Sequence, residues 1–225
     1  MMSWALAGEN AVWTEQLWQL LQIRRGVTAV IGSGGKTSLL ARLCRELPGT
    51  VIVCTSTHIF PAEGLPLVTE PMDALPVPKL CAGTPAEHGK LTAPVQSFET
   101  LATLADYVLV EADGSKGLPL KAHLDHEPVI PSCADQVIQV VGVSGLGRPI
   151  GQAAHRPERF AALCGAQITD IATIERIAAV LNAEALADRY VLNQADDLED
   201  RKWAMSLADR LHRPAEITCL AGGPL

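Results

Sequence analysis

The sequence predicts an α/β domain in three layers, with a mainly parallel sheet between flanking helices. Short apolar runs rich in β-branched residues recur along the chain and end at glycine or polar residues, which is typical of buried parallel strands. Segments with helical periodicity separate these runs, as in consecutive βαβ units. We expect the main strands at 27–31, 51–54, 107–110, 136–141, 190–192 and 216–220, and a brief one at 80–83.

The composition limits the classes of protein to consider. The 225 residues, 48% of them hydrophobic and 19% charged, are sufficient for one domain (1–225) with a large core. The net charge of −7, without a run of lysine or arginine, argues against nucleic-acid and membrane-surface partners. No apolar run approaches the roughly 20 residues that cross a bilayer. The six cysteines are scattered singly, which favours buried thiols in a reducing cytoplasm over disulfides or zinc.

Helices are predicted from apolar spacing and from capping residues. Trp13, Leu17, Leu20 and Leu21 indicate an amphipathic helix over 11–24, with Gly26 suited to its C-terminal cap. Further helices are expected at 97–105 and 198–212, and another follows the glycine-rich loop after the first strand. One more helix begins near Pro157, and the next has its N-terminal cap at Thr169 or Asp170.

The strongest motif lies between the first strand, Val27 to Ile31, and the helix that follows it. Residues 32–37 read GSGGKT, and leucines at helical spacing come next. Glycines let successive N–H groups point into one concavity, Lys36 supplies a positive charge near the β- and γ-phosphates, and the Thr37 hydroxyl can bind Mg²⁺. This is the pattern of a phosphate-binding P-loop. The alternative is a plain strand-to-helix turn rich in glycine.

The motif departs from the usual P-loop in one position. The usual first glycine stands six residues before the lysine, where this chain has Val30. The shorter form that remains looks like the loop of Mur-type ligases. The residues of this loop that we predict to bind nucleotide are Gly32, Ser33, Gly34, Gly35, Lys36, Thr37 and Ser38.

The strand at 107–110 ends in two acids, Glu111 and Asp113. Four apolar residues that close on an acid resemble a Walker B strand, whose carboxylate holds the water shell of Mg²⁺. Both side chains lie on one side of an extended chain, so both can face the site. We predict that Thr37 and Glu111 bind the metal and that Lys36, Glu111 and Asp113 are catalytic. Glu111 and Asp113 are alternatives for the metal-water and general-base roles, and a hairpin turn at Asp113 is the structural alternative.

Other polar residues also follow predicted strands. The hydroxyls of 55–57 could hold a metal-bound water or a phosphate oxygen, or they could only cap the strand. Lys116 and Lys121 could reach phosphate or an acidic substrate, with solvated loop lysines as the alternative. Residues 61–94 contain seven prolines and predict an excursion from the sheet, such as a hairpin or lid.

A loop rich in ionisable residues follows, with His123, Asp125, His126 and Glu127. Their spacing fits no pair of metal ligands on one helix, so we expect a structured active-site loop in preference to a metal site.

The strand at 190–192 ends in Asn193, Gln194, Ala195 and Asp196. This resembles the Asn-Lys-x-Asp element of GTPases, with glutamine in the lysine position. In GTPases the aspartate accepts hydrogen bonds from the guanine edge, and the asparagine steadies the loop. We predict Asn193, Gln194 and Asp196 as base-binding residues. A helix cap formed by the aspartates is the alternative.

Taken together, these motifs resemble the YqeC family, accessory proteins of selenium-dependent hydroxylases. The matching stretches are VIGSGGKT, STHIFP, VEADGSKGLPLKAHLDHEPVIP, HRPE and VLNQAD. The long match at 110–131 is the most distinctive. The resemblance implies a P-loop NTPase-like protein linked to the maturation of selenium-dependent molybdenum hydroxylases, so that such a hydroxylase or its maturation factors are the implied partners.

Three functions are compatible with these patterns. The first is a Mg²⁺-dependent NTPase, using ATP or GTP, that drives delivery of a cofactor or selenium to a partner enzyme. The second is a Mur-ligase-like or kinase-like transfer of phosphate to an anionic acceptor held by Lys116 and Lys121. The third is a nucleotide-dependent scaffold without catalysis.

Overall fold

The computed structural model describes residues 16–220, and its centre is an eight-stranded parallel sheet. In the described part the strands are β1 Gly26–Gly32, β2 Val51–Thr55, β3 Leu67–Val68, β4 Lys79–Ala82, β5 Thr84–Pro85, β6 Leu91–Thr92, β7 Tyr107–Glu111, β8 Leu120–Lys121, β9 Gln136–Gly142, β10 Ala154–His155, β11 Arg189–Asn193 and β12 Ala215–Ile217. The order in the main sheet is β12-β11-β9-β1-β7-β2-β4-β3, and each recorded pairing is parallel. The α/β prediction is therefore confirmed.

The helices of the described part are α1 Leu17–Leu20, α2 Lys36–Glu46, α3 Phe98–Leu104, α4 Ile150–Ala153, α5 Pro157–Leu163, α6 Ile174–Glu184 and α7 Leu198–Ala208. Within residues 16–220 there is no helix long and apolar enough to cross a membrane.

Alternating residues of single strands separate the helices into layers. Val51 and Val53 of β2 pack in the cluster that contains Leu39 and Leu43 of α2. Ile52, between them, packs in another cluster with Leu101 of α3. Successive side chains of a strand point to opposite faces, so α2 and α3 cover opposite sides of the sheet. All five residues of β2 and of β7 are buried, as expected for central parallel strands.

The strand order brings the predicted motifs to one edge of the sheet. β1 lies between β9 and β7, and β2 lies beyond β7. Because these strands are parallel, the segments that follow β1, β2, β7 and β11 all leave from the same edge. Ligands of open α/β sheets bind at this edge.

Some predicted elements differ from those observed. Of the helix predicted at 11–24, residues 11–15 lie outside the described residues, and the remainder contains only the single turn α1, Leu17–Leu20, with Leu21 as its C-cap. Gly26 is no helix cap but the first residue of β1. The cap predicted at Thr169 or Asp170 is instead Thr173, whose side chain accepts a hydrogen bond from Arg176 N. The helix predicted at 198–212 ends at Ala208.

The segment 61–94 is only partly the predicted excursion. Strands β5 and β6 form a small antiparallel hairpin, as expected. Strands β3 and β4, however, extend the main sheet beyond β2. Short strands between prolines give little periodicity, which is why the sequence predicted only the second of them.

Candidate nucleotide-binding site

The turn between β1 and α2 has the backbone of a phosphate-binding loop. Gly34 and Gly35 have φ angles of +90° and +129°, which residues with a Cβ rarely adopt. A Cβ at Gly34 would also clash with the Gly142 backbone, and one at Gly35 with the Asn193 amide. The N–H groups in the first turn of α2 have no acceptor within the helix. The turn therefore presents backbone donors at the positive end of an 11-residue helix.

Lys36 begins α2 and folds back over the loop. Its Nζ donates to the Gly32 carbonyl at 2.8 Å and lies 3.3 Å from the Ser115 hydroxyl. It also lies 3.0 Å from an Asp113 oxygen and 3.7 Å from a Glu111 oxygen. The residue is only 4% exposed, yet it lines the cleft described below. Both predicted acids thus meet the predicted lysine.

The two acids have different partners. Glu111 approaches the Thr37 hydroxyl, which lies 3.5 Å from its Oε2. Asp113 is 1% exposed, and its Oδ2 accepts from the Gly32 N–H at 2.8 Å. His123 Nε2 lies 2.9 Å and Lys121 Nζ 3.2 Å from the same oxygen. Glu111 lines the cleft, whereas Asp113 is enclosed by protein groups.

The pKa values follow these surroundings. Burial raises the pKa of Glu111, with a contribution from Asp113, and Lys36 only partly opposes it. Burial would also raise the pKa of Asp113, but the hydrogen bond from His123 and the charges of Lys36 and Lys121 outweigh it and lower that pKa to about 2. Asp113 is therefore held as a carboxylate, while Glu111 binds a proton more readily than a solvated glutamate.

His123 connects Asp113 to the C-terminal end of α6. Its Nδ1 lies 2.8 Å from an oxygen of Glu184, whose other oxygen accepts from the His123 N–H at 2.6 Å. Burial lowers the pKa of His123, but the hydrogen bonds to Asp113 and Glu184 outweigh this and raise it. Sequence reasoning missed Glu184, because nothing near it in the chain marks it.

The ionic network continues through Lys121 to Arg156. Lys121 Nζ lies 2.7 Å from Glu127, and Glu127 accepts from Arg156 Nε at 3.2 Å as well as from its Nη2. The side chain of Lys121 is 0% exposed, so the alternative of a solvated loop lysine is wrong for this residue. Sequence reasoning did not single out Arg156, although it lies in the HRPE stretch.

The loop at 123–127 is structured, but its polar residues diverge. Asp125 and His126 have exposed side chains, while His123 and Glu127 turn into the ionic network. Among residues 16–220, no group of three or more His, Cys, Asp or Glu side chains is arranged to hold a metal.

A cleft of about 1160 Å³ opens at this edge of the sheet. Of the predicted residues, Gly34, Gly35, Lys36, Thr37, Ser38, Glu111 and Gln194 line it. Gly32 and Ser33 do not: the Gly32 N–H bonds to Asp113, and the buried Ser33 hydroxyl bonds to the Leu118 carbonyl.

The hydroxyl residues 55–57, at the end of β2, fall into two groups by their contacts. Thr55 donates to the Glu111 carbonyl at 2.7 Å, and Ser56 donates to the Val129 carbonyl at 2.6 Å, so these two satisfy backbone groups. Thr57 and His58 line the cleft.

The segment after β11 contacts the glycine-rich turn through Asn193. Its Nδ2 donates to the Gly34 carbonyl at 2.8 Å, and its Oδ1 accepts from the Leu220 N–H at 2.8 Å. Asp197 is the residue that caps α7, because its side chain accepts from two backbone N–H groups. Asp196 is exposed and accepts a hydrogen bond from the Cys219 thiol at 2.8 Å.

The fold and the glycine-rich turn define an α/β protein of the P-loop-like class. Within it, the chain belongs to the YqeC family, since the sequence profile described as "YqeC protein" matches residues 28–158. The chain is also 37% identical over 175 residues to the "Uncharacterized protein YqeC" of Escherichia coli (strain K12), an alignment that covers 68% of this chain and 66% of that protein. The family predicted from the sequence is thereby confirmed.

Proposed function

We propose that this protein binds a Mg²⁺–nucleoside triphosphate, ATP or GTP, at the turn between β1 and α2 and hydrolyses it. The observation that carries the proposal is the position of Lys36 and Thr37 in the first turn of α2, on the cleft and within reach of Glu111. Backbone N–H groups at a helix N-terminus, a lysine and a hydroxyl next to an acid together suit a triphosphate with its metal.

The donors present fit Mg²⁺. This ion prefers six oxygen ligands and usually keeps several waters, with one or two protein ligands and the phosphates of the substrate. The Thr37 hydroxyl and the Glu111 carboxylate are two such oxygen groups, 3.5 Å apart, at the cleft. We assign the metal to this pair. When bound, Mg²⁺ neutralises charge that develops on the phosphates.

Asp113 has a different role in this proposal. Its Oδ2 is occupied by the Gly32 N–H and His123, and Lys121 lies beside it. A carboxylate so enclosed fixes the start of the P-loop and the position of Lys36 through its other oxygen, 3.0 Å from Nζ. We therefore propose Asp113 as a positioning residue and Glu111 as the acid that, with Thr37, would hold the metal.

The substitution Glu111→Gln tests the metal assignment. We expect the variant to bind triphosphate with much weaker dependence on Mg²⁺ than the wild type, or to bind and fail to turn over, because the amide is a poorer ligand and no base. Titration of nucleotide with and without EDTA, together with phosphate release, measures both effects. Glu63→Gln, an exposed acid on the same cleft, is the matched control. Normal Mg²⁺ dependence and normal turnover in Glu111→Gln would refute the assignment.

We further propose that Asp196 distinguishes GTP from ATP. Its exposed carboxylate does not line the cleft, but it follows Asn193, which bonds to the P-loop, and Gln194, which lines the cleft. This proximity supports a role for Asp196 at the base of a nucleotide. A carboxylate that pairs with guanine is left unpaired by adenine, which costs about 1–3 kcal/mol. We expect GTP to bind at least several-fold more tightly, and Asp196→Ala to remove the difference.

Competition of ATP and GTP for one fluorescent nucleotide measures this ratio. Asp197→Ala is unsuitable as a control because Asp197 caps α7, so Asp209→Ala, at the other end of that helix, is used. Tighter binding of ATP by the wild type, or an unchanged ratio in Asp196→Ala, would exclude this role.

The client and the compartment are also proposals. The family resemblance supports a link between nucleotide turnover and the maturation of a selenium-dependent molybdenum hydroxylase, and the scattered cysteines support a cytoplasmic setting. Turnover that rises when the client enzyme is added supports the coupling. Binding without turnover, even with the client present, would instead indicate a nucleotide-dependent scaffold.

A further inference from the structure

The cleft extends well beyond the glycine-rich turn, and its far wall is basic. Lys116, His155 and Arg156 line it there: Lys116 lies on the segment after β7, His155 ends β10, and Arg156 follows β10. The chain as a whole carries a net charge of −7, so a positively charged part of the cleft is not expected from its composition. Basic groups that converge in a cleft mark a site for an anion.

This wall is connected to the P-loop through short contacts. Ser115, the residue before Lys116, lies 3.3 Å from Lys36 Nζ. On the other side, Lys121 lies 3.2 Å from Asp113 and 2.7 Å from Glu127, which binds Arg156. A ligand at the far wall would therefore lie beside a nucleotide at the P-loop.

His155 is a polar group without a partner at this wall. It is 9% exposed, and its Nδ1 is buried without a hydrogen bond from any described residue. In the paired strands β8 and β10 it lies opposite Lys121. Burial, Lys121 and Arg156 all lower its pKa, so the ring is neutral at pH 7 and keeps one donor and one acceptor nitrogen. The buried Nδ1 is closed off from the cleft, so His155 would meet a ligand through the part of its side chain that lines the cleft.

Glu127 fixes the orientation of Arg156 and uses only some of its N–H donors. The Nε and Nη2 of Arg156 both contact the same oxygen of Glu127. A guanidinium has five N–H donors in a fixed plane, so three remain for a ligand. The charge of Glu127 is already shared by Lys121, and these two basic residues lower its pKa against the effect of burial. Glu127, which also lines the cleft, therefore holds Arg156 in place, and the charges of Lys121 and Arg156 offset its negative charge.

The backbone is strained at the same residues. Lys116 and Arg156 have φ angles of +52° and +64°, although neither is glycine. Such conformations are unfavourable for residues with a side chain and cluster at functional sites. Both residues line the cleft.

We propose that Lys116, His155 and Arg156 form a second anion subsite, which binds the carboxylate or phosphate group of a small molecule beside the nucleotide. The proposal rests on the proposed function only in placing a triphosphate at the P-loop. It gives the cleft two ligands, and it identifies the second as an oxyanion small enough to share a cleft of about 1160 Å³ with the nucleotide.

The test uses the full chain saturated with Mg²⁺ and a non-hydrolysable ATP or GTP analogue, so that the P-loop is occupied. Inorganic phosphate and malonate are titrated separately, and binding is followed by calorimetry and by the NMR signal of the His155 ring, assigned by its loss in His155→Gln. We expect saturable binding of at least one probe with a shift of that signal. Tighter binding of phosphate or of malonate distinguishes a phosphorylated ligand from a carboxylic acid.

Matched variants locate the binding. Arg156→Gln is expected to weaken the probe about tenfold and Lys116→Gln about two- to fivefold. Lys90→Gln, which removes a lysine from the Phe60 side of the same cleft, is expected to change nothing. Lys116 is exposed, so Lys116→Gln tests the subsite even if Arg156→Gln fails to fold.

A second arm separates this proposal from the proposed function. In Lys36→Ala without nucleotide, the far wall remains and the P-loop charge is gone, so we expect the probe to bind there as before. A wild-type protein that binds the probe but neither ATP nor GTP would contradict the proposed function alone. No probe binding at millimolar concentration in either arm, or equal binding by wild type, Lys116→Gln and Arg156→Gln, would overturn the subsite.

Discussion

Lys36→Ala is expected to weaken the binding of ATP or GTP by about ten- to a hundredfold, while the binding of the corresponding nucleoside stays unchanged. In the proposed site the charge of this lysine would lie beside the β- and γ-phosphates, and a charge-assisted hydrogen bond contributes about 1.5–3 kcal/mol. Calorimetry with triphosphate and nucleoside, each on the same preparation, measures the difference.

The control for this variant is Lys90→Ala, another lysine that lines the cleft. Circular dichroism must show that Lys36→Ala is folded, because Lys36 also lies within 3.0 Å of the buried Asp113. An unchanged triphosphate affinity in a folded Lys36→Ala protein would contradict the P-loop assignment.

Asp113→Asn is expected to lower the free energy of unfolding by about 3–5 kcal/mol, the usual cost when one partner of a buried ion pair is removed. The amide keeps the shape of the side chain and an acceptor for the Gly32 N–H. It removes the carboxylate that the buried Lys36, Lys121 and His123 share, and leaves Lys121 with Glu127 and His123 with Glu184. Urea denaturation measures the change, and Asp125→Asn, whose side chain is fully exposed, is the control.

The pH dependence of the unfolding free energy of wild type and Asp113→Asn shows whether the charge of Asp113 accounts for this loss of stability. The pKa of Asp113 is lowered from its usual 3.8 to about 2 in the folded state. Its stabilising contribution is therefore complete above pH 3.8 and is lost as the pH falls toward 2. The stability difference between wild type and Asp113→Asn should shrink over that interval. A constant difference would show that packing, and not charge, accounts for the loss.

The sequence predicted those features of the molecule whose signal lies within one short segment of the chain. Strands β1, β2 and β7 are continuous apolar runs, and each ends at the residues that mark the site, so both the fold class and the P-loop followed from short segments. Local patterns failed where the chain had no clear signal, as at the caps of α1 and α6.

The ionic network could not be predicted because its members come from distant parts of the chain. His123 and Glu184 are 61 positions apart, and the hydrogen bond that joins β11 to the P-loop, between Asn193 and Gly34, spans 159 positions. Lys121 and His123 are recognisable in the sequence as candidate polar site residues. No sequence pattern, however, shows that they are buried or which acids they pair with. Only the order of the parallel strands places α6 and β11 beside the P-loop.

The most direct test of the central claim is calorimetry of the wild-type protein with ATP and with GTP, each in Mg²⁺ and in EDTA. The account predicts saturable binding of one triphosphate per chain in Mg²⁺, and weaker binding when the metal is removed. No binding of either nucleotide at millimolar concentration, or binding that is the same with and without Mg²⁺, would contradict it.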